Sequence, residues 1–372
     1  MDNAFLPAGA GLLILAGITS ILALLLEVAD YFFQDYGDCA ININSGKKNL
    51  TVKGGASLLS SLMDQGIFIP SACGGRASCG LCKVKVISGA GPLLPTEAPF
   101  LSPKELQDGV RLSCQVKVRR DLSLLMDEAL FAIREFSARV ASARMVTETI
   151  REIRLDLMEP REISFKSGQF IQFHVPAYQE SSEPVYRAYS IASAQADSGG
   201  LTLLVTRVPK GIASTYIHEH LKPGNQVKIS GPYGEFYLRD SDHEIIMIAT
   251  GSGLAPLVSL LHQLAAKGST RKITLFFGTY RPADIFYRQE IEELGKKLPG
   301  FTFVPVLSGA KPEDDWKGET GIVTAPVKRL LEQHPSTRDA YLCGNPLMID
   351  TAVKMFTENG IPAERIYYDK FA

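Results

Sequence analysis

Ser71-Ala72-Cys73-Gly74-Gly75-Arg76-Ala77-Ser78-Cys79-Gly80-Leu81-Cys82 puts three cysteines in one glycine-rich loop, and a fourth, Cys114, follows 32 positions after Cys82. A [2Fe–2S] cluster needs four thiolates around two irons, and this three-plus-one pattern lets a tight loop supply three and a later element the fourth. The glycines stand where a backbone wrapping a cluster must take positive φ or turn bare N–H groups toward sulfide. The first spacing, C-x5-C, is one residue longer than the plant-type C-x4-C-x2-C pattern. Zinc also accepts four thiolates, but its ligands usually come as two C-x2-C pairs. Six cysteines in 372 residues are too sparse for a disulfide scaffold. Cys73, Cys79, Cys82 and Cys114 therefore read as metal ligands of an electron carrier.

Working outward, Ala40–Asn44 and Asn49–Lys53 read as strands joined by the turn residues Ser45-Gly46. Ser57–Gln65 has helical spacing, with Leu58, Leu59, Leu62 and Met63 on one face and Ser57 as N-cap. Lys83–Ile87 and Arg111–Val118 alternate as strands, the second carrying Cys114. Pro92, Pro95, Pro99 and Pro103 form a loop that precedes Cys114 and so stays inside this module. The stretch resembles the β-grasp-like [2Fe–2S] ferredoxin fold.

Ala8–Leu26 is a different kind of segment: 19 almost wholly apolar residues. At about 1.5 Å per residue it matches the roughly 30 Å hydrocarbon thickness of a bilayer. It lacks the basic n-region and the cleavage site of a signal peptide. It is expected to be a transmembrane helix that contacts lipid. Asp30, Asp35 and Asp38 follow it before Lys47, Lys48 and Lys53, so the basic-residue bias that sets orientation is weak. An air-sensitive cluster and a pyridine nucleotide favour soluble domains facing the cytoplasm, on a single-pass anchor in the inner (cytoplasmic) membrane. A net charge of −1 gives no reason to invoke nucleic acid, and the six histidines show no metal-ligand spacing.

The remaining length accommodates further domains, giving an expected division into a membrane anchor and linker (1–35), a ferredoxin module (36–128), an antiparallel β-barrel (129–240) and an α/β nucleotide domain (241–372). In the barrel, Phe136–Thr147, Thr149–Leu157, Phe170–Val175, Arg187–Ile191, Leu201–Arg207 and Gln226–Ser230 read as strands. Gly211-Ile212-Ala213-Ser214-Thr215 opens a short helix ending near His220, so Ser214 and Thr215 are candidates to meet a diphosphate. From Glu244 onward strands alternate with helices: Glu244–Ala249, Ala255–Lys267, Lys272–Phe277, Phe286–Leu298, Phe301–Leu307, Ala325–His334, Ala340–Cys343 and Pro346–Asn359. That alternation predicts an open parallel sheet covered on both faces, with ligands at the carboxyl ends of its strands. Thr250-Gly251-Ser252-Gly253-Leu254-Ala255-Pro256 falls at the end of the first of these strands, where its N–H groups can meet a pyrophosphate.

Several motifs resemble the ferredoxin–NADP reductase-like flavoproteins: the R-x-Y-S of Arg187-Ala188-Tyr189-Ser190, the G-P-x-G-x-F of Gly231–Phe236, the G-x-G-x-x-P of Gly251–Pro256, and the C-G-x-P of Cys343-Gly344-Asn345-Pro346. The resemblance implies FAD, with Arg187 on its phosphates, Tyr189 packed on the isoalloxazine and Ser190 near N5. It also implies Thr250, Gly251, Gly253, Pro256 and Gly344 around the nucleotide, with Cys343 beside the nicotinamide at the hydride-transfer site. Phe371, in Tyr368-Asp369-Lys370-Phe371-Ala372, would cover the other face of the flavin as a displaceable lid. The nucleotide is expected to be NADH, because Gly278–Tyr287 offers only Arg281 for a 2′-phosphate, followed closely by Asp284.

The order of anchor, ferredoxin, flavin barrel and nucleotide domain, together with Leu94-Pro95-Thr96-Glu97, is similar to the F subunits of sodium-translocating NADH:quinone reductases. That resemblance implies electrons passing from NADH to FAD to the [2Fe–2S] cluster and on to membrane redox subunits, with ubiquinone reduction and sodium transport as the complex's work. This chain has only ten residues between Pro176 and Arg187, where that family carries a longer insertion. Two other functions stay open on sequence alone: the NADH-dependent reductase component of a membrane or di-iron oxygenase, and a non-enzymatic iron–sulfur scaffold or redox sensor.

Overall fold

A computed structural model describes residues 14–25, 36–333 and 337–371. Residues 14–25 form a helix, α1, exposed along its whole length, with Thr19 Oγ1 donating back to the Leu15 carbonyl. The expected span Ala8–Leu26 runs past both ends of α1 and lies partly outside the described residues. Among the described residues no helix is long and apolar enough to cross a membrane.

The chain divides into two compact units, Met1–Ile67 with Cys82–Glu128, and Phe68–Leu81 with Ala129–Ala372. In the first, β1 (Asp38–Ile43) and β2 (Lys48–Lys53) form a hairpin. Helix α2 (Leu58–Asp64) begins where the Ser57 hydroxyl accepts the Ser60 N–H at 3.1 Å, and it buries Leu58, Leu59 and Leu62. Then follow β3 (Lys83–Ser88), α3 (Pro103–Gln107) behind a Ser102/Glu105 capping box, β4 (Val110–Leu112) and β5 (Leu122–Leu125). The sheet order is β2-β1-β5-β3-β4, antiparallel except for the parallel β1–β5 pair. Cys39, Ile41 and Ile43 alternate into the core.

Contrary to the sequence expectation, the strand over Arg111–Val118 stops at Leu112, and Cys114 sits in a turn. The Ser113 N–H is committed to the Cys82 carbonyl at 2.8 Å, and the Gln115 N–H closes back on Leu112. The first bond is the last rung beside Lys83 and Leu112, and the second turns the chain away, which leaves Cys114 next to that rung at Cys82.

The second unit begins with β6 (Arg134–Met145), β7 (Ile150–Glu159), β8 (Phe170–Val175), β9 (Val185–Ser190), β10 (Gly200–Thr206), the short α4 (Ile212–Thr215) and β11 (Gln226–Tyr233). The order β10-β7-β6-β11-β8-β9 is antiparallel throughout, and a bridge between Ile191 and Leu203 brings the two edges together as a barrel. Its core takes every second residue, such as Ile153, Leu155 and Leu157, or Ile171, Phe173 and Val175. After α4 the chain runs to His220 as a wider π-type turn.

The nucleotide half contains β12 (Glu244–Thr250), α5 (Leu254–Ala266), β13 (Ile273–Thr279), α6 (Arg288–Gly295), β14 (Phe301–Leu307), β15 (Glu319–Thr320), α7 (Thr324–Gln333), β16 (Arg338–Gly344), α8 (Pro346–Glu358) and β17 (Ile366–Lys370). Every pairing in its sheet, ordered β15-β14-β13-β12-β16-β17, is parallel. Ile245, Met247 and Ala249 of β12 face one core with α5 and α6; Ile246 and Ile248 face the other with α7 and α8. Burial on both faces is why β12 reads as an unbroken apolar run. Strand order reverses between β12 and β16, which is where open α/β sheets bind ligands.

Candidate functional site

The cysteines come as two pairs. In the second unit Cys73 and Cys79 stand 3.4 Å apart, sulfur to sulfur. The hydrogen bond from Cys79 lowers the Cys73 thiol to about 4 against the opposing effect of burial, and backbone N–H groups of Ser78 and Arg76 add to it. The same bond, with burial, pushes Cys79 up. In the first unit Cys82 is pushed up by its hydrogen bond with Cys114 and by burial. Cys73, Cys82 and Cys114 are buried. Among the described residues no group of three or more His, Cys, Asp or Glu side chains gathers to hold a metal ion. Soft, buried thiols in pairs fit an iron–sulfur cluster, which needs its ligands deprotonated.

The loop around Cys73 turns through positive φ at Gly74 (65°), Gly75 (88°), Ala77 (55°) and Gly80 (67°). Gly74 has a second constraint: a Cβ there would lie 2.4 Å from both Arg187 Nη1 and the Tyr186 carbonyl. Strand β9 is thus pressed against the cysteine loop within one compact unit. Arg187, half-buried, donates to the Tyr186 carbonyl at 2.6 Å and has no carboxylate partner among the described residues. Burial first, then the neighbouring Arg76, push its guanidinium down. A half-buried cation without a counter-charge fits a phosphate. Tyr189 packs edge-on to Phe173 at 6.3 Å, its phenol pushed up by burial, and Ser190 is buried opposite Phe170. From Val185 to Tyr189 the strand is partly exposed at every residue, as a ligand-bearing edge would be.

Ser214 and Thr215 are both buried in α4. The Ser214 hydroxyl accepts the Val208 N–H at 3.1 Å and approaches the Gly211 carbonyl at 3.1 Å, closing the loop that precedes α4.

At the reversal of strand order, β12 and β16 end together, with Ala249 opposite Cys343. Thr250 Oγ1 accepts the Asn345 N–H at 3.0 Å. Gly253 lies so close to the neighbouring turn that a Cβ would be 2.3 Å from the Cys343 carbonyl. Pro256 falls in the first turn of α5, where its missing N–H costs nothing. Cys343 is fully buried, its thiol pushed well up by burial first and Asp369 second. Phe371 donates its N–H to the Gly344 carbonyl at 3.0 Å and packs against the core that holds Cys343. Arg281 is already paired with Glu148 at 2.7 Å and with Asp284, so it is not free for a 2′-phosphate.

Asp369 escaped the sequence reading. It pairs in register with Cys343, and burial pushes its carboxyl up to about 6. Only its place two residues before the terminal aromatic could have marked it. A cavity of about 630 Å³, lined by Arg144, Phe286, Tyr287 and Glu290 among others, includes none of these residues.

Three family models match in tandem: a 2Fe-2S iron-sulfur cluster binding domain over residues 41–119, an oxidoreductase FAD-binding domain over 137–237 and an oxidoreductase NAD-binding domain over 247–354. The F subunit of the Na(+)-translocating NADH-quinone reductase of Neisseria meningitidis is 36% identical, covering 97% of this chain and 98% of that protein. Its counterpart in Actinobacillus succinogenes is 35% identical with full coverage of both. The chain belongs to the family of F subunits of Na+-translocating NADH-quinone reductases. Its cofactors are FAD, a [2Fe–2S] cluster and NADH, and it is an NADH-oxidising flavin and iron–sulfur oxidoreductase. Among solved structures, the Amycolatopsis cytochrome P450 reductase GcoB superposes with a TM-score of 0.71 at 28% identity, covering 90% of this chain and 98% of that one. The ferredoxin reductase in carbazole 1,9a-dioxygenase gives 0.69 at 26% identity, covering 90% and 99%.

Proposed function

We propose that this chain is the NADH-oxidising component of a membrane-bound quinone reductase of the sodium-translocating type. Four modules divide the work: an anchor and linker (1–35), a ferredoxin (36–128), a flavin barrel (129–240) and a nucleotide domain (241–372). The observation that carries this reading is the tandem order of three cofactor modules within a chain matched end to end by the F subunits of such reductases. Residues 8–26 anchor it in the cytoplasmic membrane, with the soluble modules on the cytoplasmic side and the other redox subunits of the complex as partners.

In this assignment Thr250, Gly251, Gly253, Pro256 and Gly344 seat the nucleotide at the reversal of strand order. Cys343 packs beneath the nicotinamide, and its high thiol pKa keeps it neutral there. Phe371 covers the flavin until nicotinamide displaces it. Arg187, Ser214 and Thr215 hold the flavin's phosphates, Tyr189 packs on its ring and Ser190 lies at its reacting edge. When bound, FAD takes two electrons together as hydride and gives them up singly, which couples a nicotinamide to a one-electron cluster. Cys73, Cys79, Cys82 and Cys114 ligate that cluster.

Anaerobic NADH titration of the detergent-purified protein tests the redox chain. Flavin bleaching followed by the low-temperature EPR signal of a reduced [2Fe–2S] cluster is expected, and bleaching without that signal overturns the cysteine assignment. Membranes bearing the protein should show sodium-stimulated NADH:quinone reduction. A second reading, the reductase component of an oxygenase, is favoured by the likeness to GcoB and the carbazole dioxygenase reductase and by the short segment between Pro176 and Arg187. Co-purification with an oxygenase, with no sodium effect, would establish it instead.

A further inference from the structure

Strand β8 has an outer face that ought to be wet. Ile171, Phe173 and Val175 point into the barrel, so Phe170, Gln172 and His174 point away from it. Gln172 is nevertheless only 1% exposed. The cover over it is the cysteine loop: Gln172 Nε2 donates to the Ser71 carbonyl at 2.8 Å, and Phe68–Leu81 belongs to the same compact unit as the barrel. The Ser71 hydroxyl in turn accepts the Gly75 N–H at 3.0 Å, and the Ser71 carbonyl also accepts the Gly74 N–H. One buried carboxamide thus grips the residue from which the loop's first turn is built, two positions before Cys73.

The surroundings favour a specific clamp over incidental packing. Gln172 lies opposite Ala188 of β9, inside Arg187–Ser190, and opposite Ser230 of β11. Next along the same face, His174 contacts the Tyr186 ring edge-on at 4.5 Å, and the Tyr186 carbonyl abuts Gly74. Gln172 Oε1 is buried without a hydrogen-bond partner among the described residues. Leaving that acceptor unmet costs free energy, so a leucine or methionine would serve better if filling space were all that mattered.

We propose that Gln172 is a positioning residue for electron transfer from flavin to cluster, its carboxamide fixing the Cys73 loop against the strand that carries Arg187, Tyr189 and Ser190. The inference rests on the proposed ligation of the cluster by Cys73 and Cys79. The step it serves moves one electron and no atom: the NADH-reduced flavin is oxidised by one electron and the cluster reduced by one.

Full-length holoprotein carrying Gln172→Met, which keeps the volume and removes the donor, is compared with the unmodified protein. Stopped-flow absorbance follows flavin bleaching by NADH, and rapid-freeze EPR follows the cluster. The expected result is an unchanged bleaching rate, unchanged iron and FAD content, cluster reduction slowed about tenfold, and an altered EPR line shape. Gln172→Glu supplies the second test: its ionised carboxylate cannot donate to Ser71, whereas a protonated one can, so cluster reduction should recover as pH falls. Cluster reduction at the unmodified rate in both variants overturns the inference. So does a parallel loss of flavin bleaching or FAD, which would make Gln172 a general support of the barrel, and so does a Gln172→Glu defect that is the same at every pH. An unmodified protein without a cluster signal overturns the ligand assignment first, and this inference with it.

Discussion

Two arginines withdrawn from solvent, one buried and one half-buried, have opposite surroundings. Arg111, in the ferredoxin unit, is 8% exposed and meets Glu97 through Nε at 2.9 Å and Nη2 at 2.6 Å, while its remaining N–H groups reach the Gly91 and Pro92 carbonyls. Burial alone would raise the Glu97 carboxyl, but Arg111 and the N–H groups of Leu94 and Leu112 outweigh it and hold it low. Arg187, in the barrel, has one backbone carbonyl and no carboxylate among the described residues. A buried charge paired with a carboxylate and held at all three of its nitrogens belongs to the architecture. One left unmet can take an anion, and in the proposed assignment that anion is a flavin phosphate.

The largest expected effect breaks the matched pair. Glu97→Ala strands a buried guanidinium and should cost about 3–5 kcal/mol. Denaturant unfolding of the ferredoxin unit, followed by cluster absorbance, checks it. Glu97→Leu with Arg111→Met should recover most of that loss, since apolar replacement of a whole buried pair is often neutral. A small effect of Glu97→Ala would erase the contrast with Arg187.

A second prediction concerns the barrel's own buried cation candidate. His174 is pushed down to about 4 by burial, with Glu135 of β6 opposing and Lys228 of β11 assisting; Tyr186 of β9 packs against its ring, and Ser230 of β11 meets its Nε2. Folded, this imidazole binds fewer protons than unfolded between about pH 4 and its ordinary value of 6.5, so stability falls as pH falls through that window. The full swing is about 3 kcal/mol. Thermal unfolding of His174→Gln should show a shallower loss between pH 6.5 and 4; an identical slope would remove His174 as the cause.

Arg187→Ala comes next. Losing one charge-assisted contact is worth about 1.5–3 kcal/mol, or roughly 10- to 100-fold in FAD affinity. Apoprotein stability should change little, because no charged partner is stranded. Flavin retention on gel filtration beside unfolding of the apoprotein separates the two effects. Unfolding as severe as that of Glu97→Ala would show Arg187 to be architectural after all.

The contrast also explains what could be read before the structure. Motif glycines, the cysteine spacing and the run Glu244–Ala249 are local patterns, so the ferredoxin, barrel and parallel sheet were all legible. The short strands Leu122–Leu125 and Ile366–Lys370 were not, because four or five residues carry too little periodicity and their place is set by distant partners, β1 and β16. Alternation around Cys114 suggests a strand, yet the turn closed by the Gln115 N–H on the Leu112 carbonyl decides otherwise. Nothing in the sequence of Phe170–Val175 sets Gln172 apart. Its burial comes from a loop about a hundred positions earlier, which no spacing rule reports.

The smallest expected effect lies at the proposed hydride site, where a third charge candidate stands between the two extremes. Asp369 is partly exposed and has no cation paired with it among the described residues, and burial lifts its carboxyl to about 6. An acid raised in the folded state binds more protons than the unfolded chain between its ordinary value of 3.8 and about 6, so its contribution favours the fold at low pH and is lost as pH rises through about 6. At neutral pH it therefore places a negative charge beside Cys343, its register partner. In the proposed assignment nicotinamide would pass there from neutral to cationic as hydride leaves. The rate of flavin reduction by NADH should rise with pH through an inflection near 6. Asp369→Asn should flatten that profile and lower the neutral-pH rate only about three- to tenfold, the size of one partly screened charge interaction. An inflection that persists in Asp369→Asn would assign it to another group and leave Asp369 as packing for the strand that delivers Phe371.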